Sequence, residues 1–255
     1  MNYSQLEEYN IKGFVALEEN KIILDESIEH TMYYSELSVK FYESDESTVR
    51  SYYGFHRDEI IKNWIEQNET IKSICTKIYG DQKIYIHQSK INIKNKADSS
   101  VWPYHRDFPF WNIFDGIKDN KLLNLVLFLD EVNEKNGAIG FIPQSHHYFL
   151  EKEEKFKEES FSIEGSASSN LLFDFNEEEV AMLKNKFGYE LSTGPKGTIL
   201  LFNPNTIHGS SYSSQDFSRR ILILTFNSCD NTPSLPLTRP DYLCSNNFTP
   251  IKWKI

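Results

Sequence analysis

A series of short β-rich runs in the last two thirds of the chain is the feature that most constrains its fold. From Lys83 onward, β-branched and other apolar residues concentrate in the runs KIYIHQSKINI, LLNLVLFLDEV, AIGFIP, GTILLF and RRILILTFN. Clusters of Gly, Pro, Asn and Asp separate these runs, which is typical of strands joined by turns. The spacing predicts an antiparallel sandwich or barrel.

The first third of the chain has helical patterns instead. Ser4 and Glu7 fit a capping box, and Asp58 opens the run DEIIKNWIEQNETIKSICTKIYG, in which apolar residues recur at helical spacing. A later helix, NEEEVAMLKNKFG, is predicted to begin after Asn176 as N-cap and to end at Gly188. These helices are expected to pack outside the strands.

Nothing in the 255 residues forces a division into two domains. We therefore expect a single domain over 1–255, with a mainly helical flank over 1–80 and a strand-rich core over 81–255. A charged and Ser-rich insertion at 151–188 interrupts the core and is either a lid or a surface excursion.

The net charge of −10 argues against polyanionic partners, because nucleic acid and anionic membrane surfaces would be repelled. Cys75, Cys229 and Cys244 are odd in number and form no C-x-x-C, which favours reduced thiols over a disulfide framework or a zinc site. The sequence shows neither a secretory leader nor a bilayer-length apolar run. We expect a cytoplasmic monomer or homodimer that acts on a small molecule.

Two H-x-D tripeptides are candidates for metal binding, since residues i and i+2 of an extended chain project to the same side. In His56-Arg57-Asp58 the acid is better explained as a helix N-cap. His105-Arg106-Asp107 follows a strand with polar alternation and precedes the aromatic segment PFWNIFDG. Two His and one carboxylate are the ligands of a non-haem Fe(II) oxygenase, so this second tripeptide is the stronger candidate.

A third ligand should come from a distant strand. His208 in LFNPNTIHGSS follows a strand and a turn, where a lone His is either structural or a ligand. Arg219 and Arg220 open a strand eleven and twelve residues later, and a guanidinium there could either bind a carboxylate through two hydrogen bonds or simply be solvated.

The strand predicted from Ile84 to Lys94 alternates in polarity. Its even-numbered residues from Gln88 to Lys94 are polar, whereas Tyr85, His87, Ile91 and Ile93 occupy the other face. If the isoleucines pack under the helices, the polar face lines a ligand cavity. The alternative is an edge strand with its polar face in water.

Several segments together resemble the phytanoyl-CoA dioxygenase superfamily, and within it the group of bacterial ectoine hydroxylases and free L-proline trans-4-hydroxylases. They occur in the same order over nearly the whole chain: YIHQSKINIK, VWPYHRDFPFW followed by DG, LFLDEVNEKNGAIGFIPQSH, GPKGTILLFNPNTIHGS and RPDYLCSNNFTPI. The resemblance implies a mainly β, cupin-like double-stranded β-helix, or jelly roll, with flanking helices.

The resemblance also implies a 2-oxoglutarate-dependent dioxygenase that uses Fe(II) and O2. It assigns iron ligation to His105, Asp107 and His208. Contacts to 2-oxoglutarate are implied for Lys94, Arg219, Asn92 and Ser210, with Arg219 rather than Arg220 in the place of the carboxylate-binding arginine. Substrate-facing positions are implied for Gln88, Trp111 and Phe202.

Departures from the ectoine hydroxylase pattern bear on the substrate. Pro109-Phe110 precede Trp111 where those enzymes carry Glu-Thr, and Asn112 to Gly116 replace their His-x-Glu-Asp-Gly. The segment VWPYHRD and the aromatic Phe110 resemble the free-proline hydroxylases more closely, although Asn112 and Phe114 depart from their pattern. The resemblance therefore implies hydroxylation of an unactivated C–H of a small free amino acid, L-proline or a cyclic homologue such as pipecolate. Lys90 is assigned to the substrate carboxylate.

Three alternatives remain open at this point. The substrate could be another free amino acid or an ectoine-like solute. A protein of a different class, either a jelly roll that binds a metal or ligand without turnover or a cupin-like isomerase, would need neither Arg219 nor Lys94.

Overall fold

A computed structural model of the chain describes residues 1–17, 19–95, 101–148, 160–162, 171–210, 213, 218–234 and 236–254. Its helices are α1 (Tyr3–Lys12), α2 (Glu26–Tyr34), α3 (Glu59–Glu66), α4 (Glu69–Tyr79), α5 (Phe108–Asp115) and α6 (Glu177–Phe187), with 3-10 turns at Phe55–Arg57 and Ser145–His147. Its strands are β1 (Phe14–Leu17), β2 (Val39–Tyr42), β3 (Val49–Tyr53), β4 (Ile84–Lys94), β5 (Trp102–His105), β6 (Leu123–Phe128), β7 (Ile139–Phe141), β8 (Glu190–Ser192), β9 (Ile199–Phe202), β10 (His208–Ser210) and β11 (Arg219–Ser228).

The strands form two antiparallel sheets. The larger sheet has the order β1-β9-β6-β11-β4-β3-β2, and the smaller has the order β5-β10-β7-β8. Of the eight strands from β4 to β11, the chain places four in each sheet and crosses repeatedly between them. This is the topology of a jelly roll, so the predicted mainly β fold with flanking helices is confirmed.

Alternation along the central strands produces a separate core on each face of the larger sheet. Leu125 and Leu127 of β6 pack with Leu222 of β11 in the cluster that also contains the apolar residues of α3 and α4. Val126 and Phe128 face the opposite way and join the cluster between the sheets. Helices therefore cover one face of the larger sheet, and the space between the two sheets remains for the site.

Helix ends follow local capping chemistry, and the structure corrects one of the predicted caps. The capping box of α1 is formed by Asn2 and Gln5, so the prediction for Ser4 and Glu7 was wrong. Asp58 caps α3 as predicted. The helical run after it forms two helices, because the side chain of Asn68 accepts a hydrogen bond from the backbone N–H of Ile71 and starts α4.

The insertion is described only in part. Residues 151–159 and 163–170 lie outside the described residues, so the choice between a lid and a surface excursion stays a prediction. The helix predicted in its second half is confirmed as α6, with Asn176 and Glu179 in a capping box and Gly188 at its end. Among the described residues, none of the helices has the length and apolar character needed to cross a bilayer.

Sequence reasoning missed three strands in the first third of the chain. The segments FVAL, VKFY and VRSYY are four or five residues long and extend both edges of the larger sheet. Such short runs carry too few residues for a period of two to be distinguished from background. Because β3 pairs with β4, β4 lies inside the sheet, and the alternative of an edge strand is excluded.

A β-bulge in β4 corrects the predicted face assignment. Thr225 of β11 lies opposite Gln88, but the next residue, Phe226, lies opposite Ile86, so His87 has no register partner on β11. The extra residue reverses the alternation on its N-terminal side. Ile84 and Ile86 therefore join the core beneath the helices, and His87 lies against Trp111 on the inner side, opposite to its predicted face.

The cap of α3 provides a test of the helical flank. In Asp58 one carboxylate oxygen accepts from Ile60 N at 2.8 Å and the other from Ser35 Oγ at 2.7 Å. We expect Asp58→Ala to lower the free energy of unfolding by about 1 kcal/mol, measured by urea denaturation. Asp58→Asn retains a side-chain acceptor, so its free energy of unfolding should fall by less than that of Asp58→Ala. Equal losses in the two variants would contradict the capping role.

Candidate active site

The three candidate metal ligands come from two adjacent strands and one turn. His105 is the last residue of β5, His208 is the first residue of β10, and the two are directly paired across the smaller sheet. Asp107 follows β5 in the turn that starts α5, and its backbone N–H donates to Pro204 O at 2.9 Å. That hydrogen bond ties the turn to the loop before β10, so the three side chains converge.

The ligand atoms of this trio all lie within 4.8 Å of one another. His105 Nε2 is 3.5 Å from Asp107 Oδ1, and His208 Nε2 is 3.9 Å from Asp107 Oδ2. All three residues are buried. Two imidazoles and one carboxylate on neighbouring positions match the donor set that non-haem iron enzymes use.

Backbone carbonyls orient both imidazoles. His105 Nδ1 is 2.7 Å from Pro103 O, and His208 Nδ1 is 2.9 Å from Thr206 O. With the proton held on Nδ1, each ring presents the lone pair of Nε2 toward Asp107, as metal-ligating histidines require. Burial, and then the neighbouring His105, lower the pKa of His208 to about 3. His208 is therefore neutral at physiological pH.

The carboxylate of Asp107 is kept ionised by its neighbours. Burial would raise its pKa, but the neighbouring groups, first of all the positive charge of Lys90, together outweigh burial and hold the pKa well below its usual value. Lys90 Nζ lies 4.0 Å from Asp107 Oδ1. Asn124 Nδ2 donates to Asp107 Oδ2 at 2.7 Å and orients the group. The trio is thus prepared to hold a divalent cation.

One cavity between the sheets collects nearly all of the predicted site residues. Lys94 is the exception, since it lies behind the cavity wall as the register partner of Arg219. The predicted residues in the wall are Gln88, Lys90, Asn92, His105, Asp107, Trp111, Phe202, His208, Ser210 and Arg219. Residues that are more than a hundred positions apart in the sequence therefore share one small space.

The two arginines that open β11 have different environments. Arg219 is 1% exposed and lines the cavity, where its Nη2 donates to Gly137 O. Arg220 faces outward and is held by Asp130, through bonds of 2.9 and 2.7 Å, and by Glu29. Of these two arginines, Arg219 is the one whose charge lies beside the trio. Arg106 also points away, since its Nη2 donates to Ser145 O at 2.7 Å.

Comparison with known proteins identifies the family. The profile of the Phytanoyl-CoA dioxygenase (PhyH) family matches residues 10–221. The chain belongs to this family. The resemblance stated from the sequence is confirmed, and the chain is an enzyme of the dioxygenase class.

Relatives and solved structures agree with this membership. Within the family, the chain is 31% identical over 211 residues to an L-proline trans-4-hydroxylase of Streptomyces griseoviridis, covering 82% of this chain and 78% of that protein. It is 27% identical to an ectoine dioxygenase of Streptomyces avermitilis, covering 98% and 88%. The structure of EctD from S. alaskensis in its apoform superposes with a TM-score of 0.78 at 21% identity, covering 99% and 86%, and so shares the fold.

Two polar residues at the site of this dioxygenase-family enzyme were missed by sequence reasoning. Asn124 is the lone polar residue in the apolar strand β6, a contrast that could have marked it as functional. Its side chain also accepts a hydrogen bond from Thr225 Oγ1 at 2.6 Å. Arg239 lines the cavity from the C-terminal segment, where no periodic pattern distinguished it.

A second buried trio, formed by His87, Asp115 and Cys244, also brings possible ligand atoms together. Here the carboxylate is already paired, because Arg239 Nε donates to Asp115 Oδ1 at 2.7 Å and Nη2 donates to the other oxygen. Burial also raises the pKa of the Cys244 thiol. A bound cation would oppose the guanidinium, so we assign this trio to anchoring Arg239.

The pair of H-x-D tripeptides provides a matched test of metal binding. We expect Asp107→Ala to weaken Fe(II) binding by more than about 100-fold, because it removes one of three ligands. Asp58→Ala, which alters the same tripeptide outside the cavity, should bind Fe(II) as the wild type does. Anaerobic equilibrium dialysis measures both. Turnover by Asp107→Ala at saturating iron would contradict the ligand assignment.

Proposed function

We propose that this member of the phytanoyl-CoA dioxygenase family uses Fe(II), 2-oxoglutarate and O2 to hydroxylate a small free amino acid, L-proline or a cyclic homologue such as pipecolate. The observation that carries the proposal is the convergence of His105, Asp107 and His208 beside the buried guanidinium of Arg219 in one cavity. A protein that only bound a metal would not need a buried cation next to it.

Unpartnered polar atoms in the cavity wall fit a bound diacid. Ser210 Oγ and Arg219 Nε are buried donors that have no hydrogen-bond partner among the described residues. Leaving such atoms unsatisfied is costly, so they indicate a ligand with complementary groups. A carboxylate accepts from Ser210 and Arg219 together, and Lys94 adds a second positive charge behind them.

Fe(II) with 2-oxoglutarate would supply the oxidising chemistry, in which 2-oxoglutarate and O2 become succinate and CO2 while one oxygen atom enters a C–H bond of the substrate. The chain's own residues do the remaining work. Arg219, Asn92 and Ser210 would orient the co-substrate beside the trio. Asn124 and Lys90 keep Asp107 ionised and in place. The surrounding aromatic side chains exclude water.

The rest of the cavity suits a compact ring that carries a carboxylate. Trp111 and Phe202 provide apolar faces, and Gln88 is held by a hydrogen bond from its Nε2 to Leu243 O at 2.7 Å. Lys90 stays our assignment for the substrate carboxylate. Arg239 is a second candidate, because Asp115 engages only its Nε and Nη2 and leaves Nη1 for a ligand.

The relatives support a small cyclic substrate with a carboxylate but do not distinguish L-proline from ectoine. One acts on L-proline and others on ectoine, as their names state. Both compounds are small rings with a carboxylate. An ectoine-like solute is therefore the second candidate, and another free amino acid is the third.

A panel assay tests the proposal. We expect purified protein with Fe(II), O2 and 2-oxoglutarate to release succinate in the presence of L-proline or L-pipecolate, with formation of one hydroxylated product per succinate. Ectoine and acyclic amino acids complete the panel. Arg219→Met should abolish release, whereas Arg220→Met, one residue along the same strand, should retain it. Absence of succinate with every compound would count against the proposed reaction.

The charge of Lys94 makes co-substrate binding dependent on pH. Burial, and then Arg219 and Arg50, lower the pKa of Lys94 to about 7. A nearby carboxylate favours the ammonium form, so binding 2-oxoglutarate takes up a proton once the pH exceeds this pKa. The dissociation constant should therefore rise above pH 7, by up to about tenfold per pH unit. Calorimetry from pH 6.5 to 8.5 measures this rise.

Lys94→Met should bind more weakly at pH 6.5 and lose the pH dependence. The control is Lys40→Met, which alters an exposed lysine outside the cavity and should follow the wild-type profile. A wild-type dissociation constant that stays level across this pH range would contradict the charge coupling.

A further inference from the structure

One buried arginine has so far entered the description only through the effect of its charge on the pKa of Lys94. Arg50 lies on β3 with 1% of its surface exposed, and its Nε has no hydrogen-bond partner among the described residues. Burying a guanidinium is expensive unless its interactions compensate. Its contacts therefore need an explanation beyond the packing of a sheet.

A β-bulge directs Arg50 into the space between the sheets. Phe41 of β2 lies opposite Ser51, and the next residue, Tyr42, lies opposite Val49, so Arg50 has no partner on β2. Regular alternation would put Arg50 on the face of Tyr52, which packs beneath the helices. As the extra residue of the bulge, it instead points toward the smaller sheet.

The guanidinium of Arg50 holds the start of β5. It stacks on the ring of Trp102 at 3.7 Å from the centroid, and its Nη2 donates to Val101 O at 3.2 Å. Its Nη1 donates to Glu43 Oε2 at 3.1 Å, which balances the charge. Within the smaller sheet β5 pairs with β10, and on its other side it forms an isolated bridge from His105 to Asp174. Arg50 therefore links the larger sheet to the strand that ends in His105.

Trp102 in turn forms the cavity wall beside the residues assigned to 2-oxoglutarate. It is the register partner of Ser210 across β5 and β10, and both line the cavity together with Arg219. A shift of the indole would change the space available to a diacid. It would leave the trio's own hydrogen bonds to Pro103 and Thr206 in place.

We propose that Arg50 is a positioning residue for 2-oxoglutarate. Its stacked guanidinium holds Trp102 against the co-substrate end of the cavity. This inference rests on the proposed function, because it concerns the same co-substrate. It adds a residue that touches neither the metal nor the cavity and acts through the indole.

Binding measurements separate this role from a general structural one. We expect Arg50→Met to raise the dissociation constant of 2-oxoglutarate for the anaerobic Fe(II)-loaded protein about tenfold, with a smaller rise in Arg50→Lys, which keeps the charge but loses the planar stack. The dissociation constant of Fe(II) and the KM for the amino acid should change by less than about twofold. Near-ultraviolet circular dichroism should report a changed tryptophan environment.

The matched control is Arg57→Met. Arg57 also binds a carboxylate, at 2.5 Å from Asp241 Oδ1, and lies 6.0 Å from the Tyr242 ring, but it is outside the cavity. Its removal should leave 2-oxoglutarate binding unchanged. In a double-mutant cycle, adding Arg50→Met to Trp102→Leu should raise the dissociation constant of 2-oxoglutarate by less than a further factor of about two, because both changes remove the same contact.

The outcomes separate the positioning role from the proposed function. If the wild-type protein binds no 2-oxoglutarate, the proposed function fails. If the wild type binds it and the Arg50 variants bind it equally well, only the positioning role is overturned. The positioning role is also overturned if Fe(II) and 2-oxoglutarate binding weaken in parallel, or if the Arg50 and Trp102 effects are additive. Should Arg50→Met fail to fold, Arg50→Lys and Trp102→Phe decide the question.

Discussion

The pairing of His105 with His208 across β5 and β10 is the contact on which the rest of the site depends. It sets the two imidazoles side by side, and the bond from Asp107 N to Pro204 O brings the carboxylate to the same point. The jelly roll makes this pairing possible because consecutive strands cross between sheets. His105 and His208, which are far apart in the sequence, thus become neighbours at one end of the cavity.

Charge burial explains much of the remaining architecture. Lys90, Lys94 and Arg219 are each largely or fully removed from water around one cavity, an arrangement that costs stability unless anions compensate it. The carboxylate of Asp107 compensates the charge of Lys90, whereas Arg219 lines the cavity wall together with Ser210. Lys94 lies behind that wall as the register partner of Arg219. A dianionic ligand in the cavity would compensate part of this buried positive charge and would therefore stabilise the folded protein.

Two β-bulges show where reasoning from the sequence stopped. Strict alternation along β4 was correct from Gln88 to Asn92, whose even-numbered side chains line the cavity. It failed from His87 toward the N-terminus of the strand, because a bulge at His87 reversed the faces. The bulge at Arg50 was equally invisible, since the strand that carries it is only five residues long. A bulge depends on the partner strand, so the local pattern contains no sign of it.

The sequence by itself determined the mainly β core, the caps at Asp58 and Asn176, and the choice of the second H-x-D tripeptide, because these follow from local periodicity and hydrogen bonding. The local pattern left Arg219 and Arg220 equivalent and only the family resemblance preferred Arg219; the tertiary structure turned Arg219 inward and paired Arg220 with Asp130. It also brought Asn124 to Asp107 and Arg239 to the cavity. Those outcomes depend on which strands become neighbours, and strand pairing is set by burial over the whole chain rather than by any one segment.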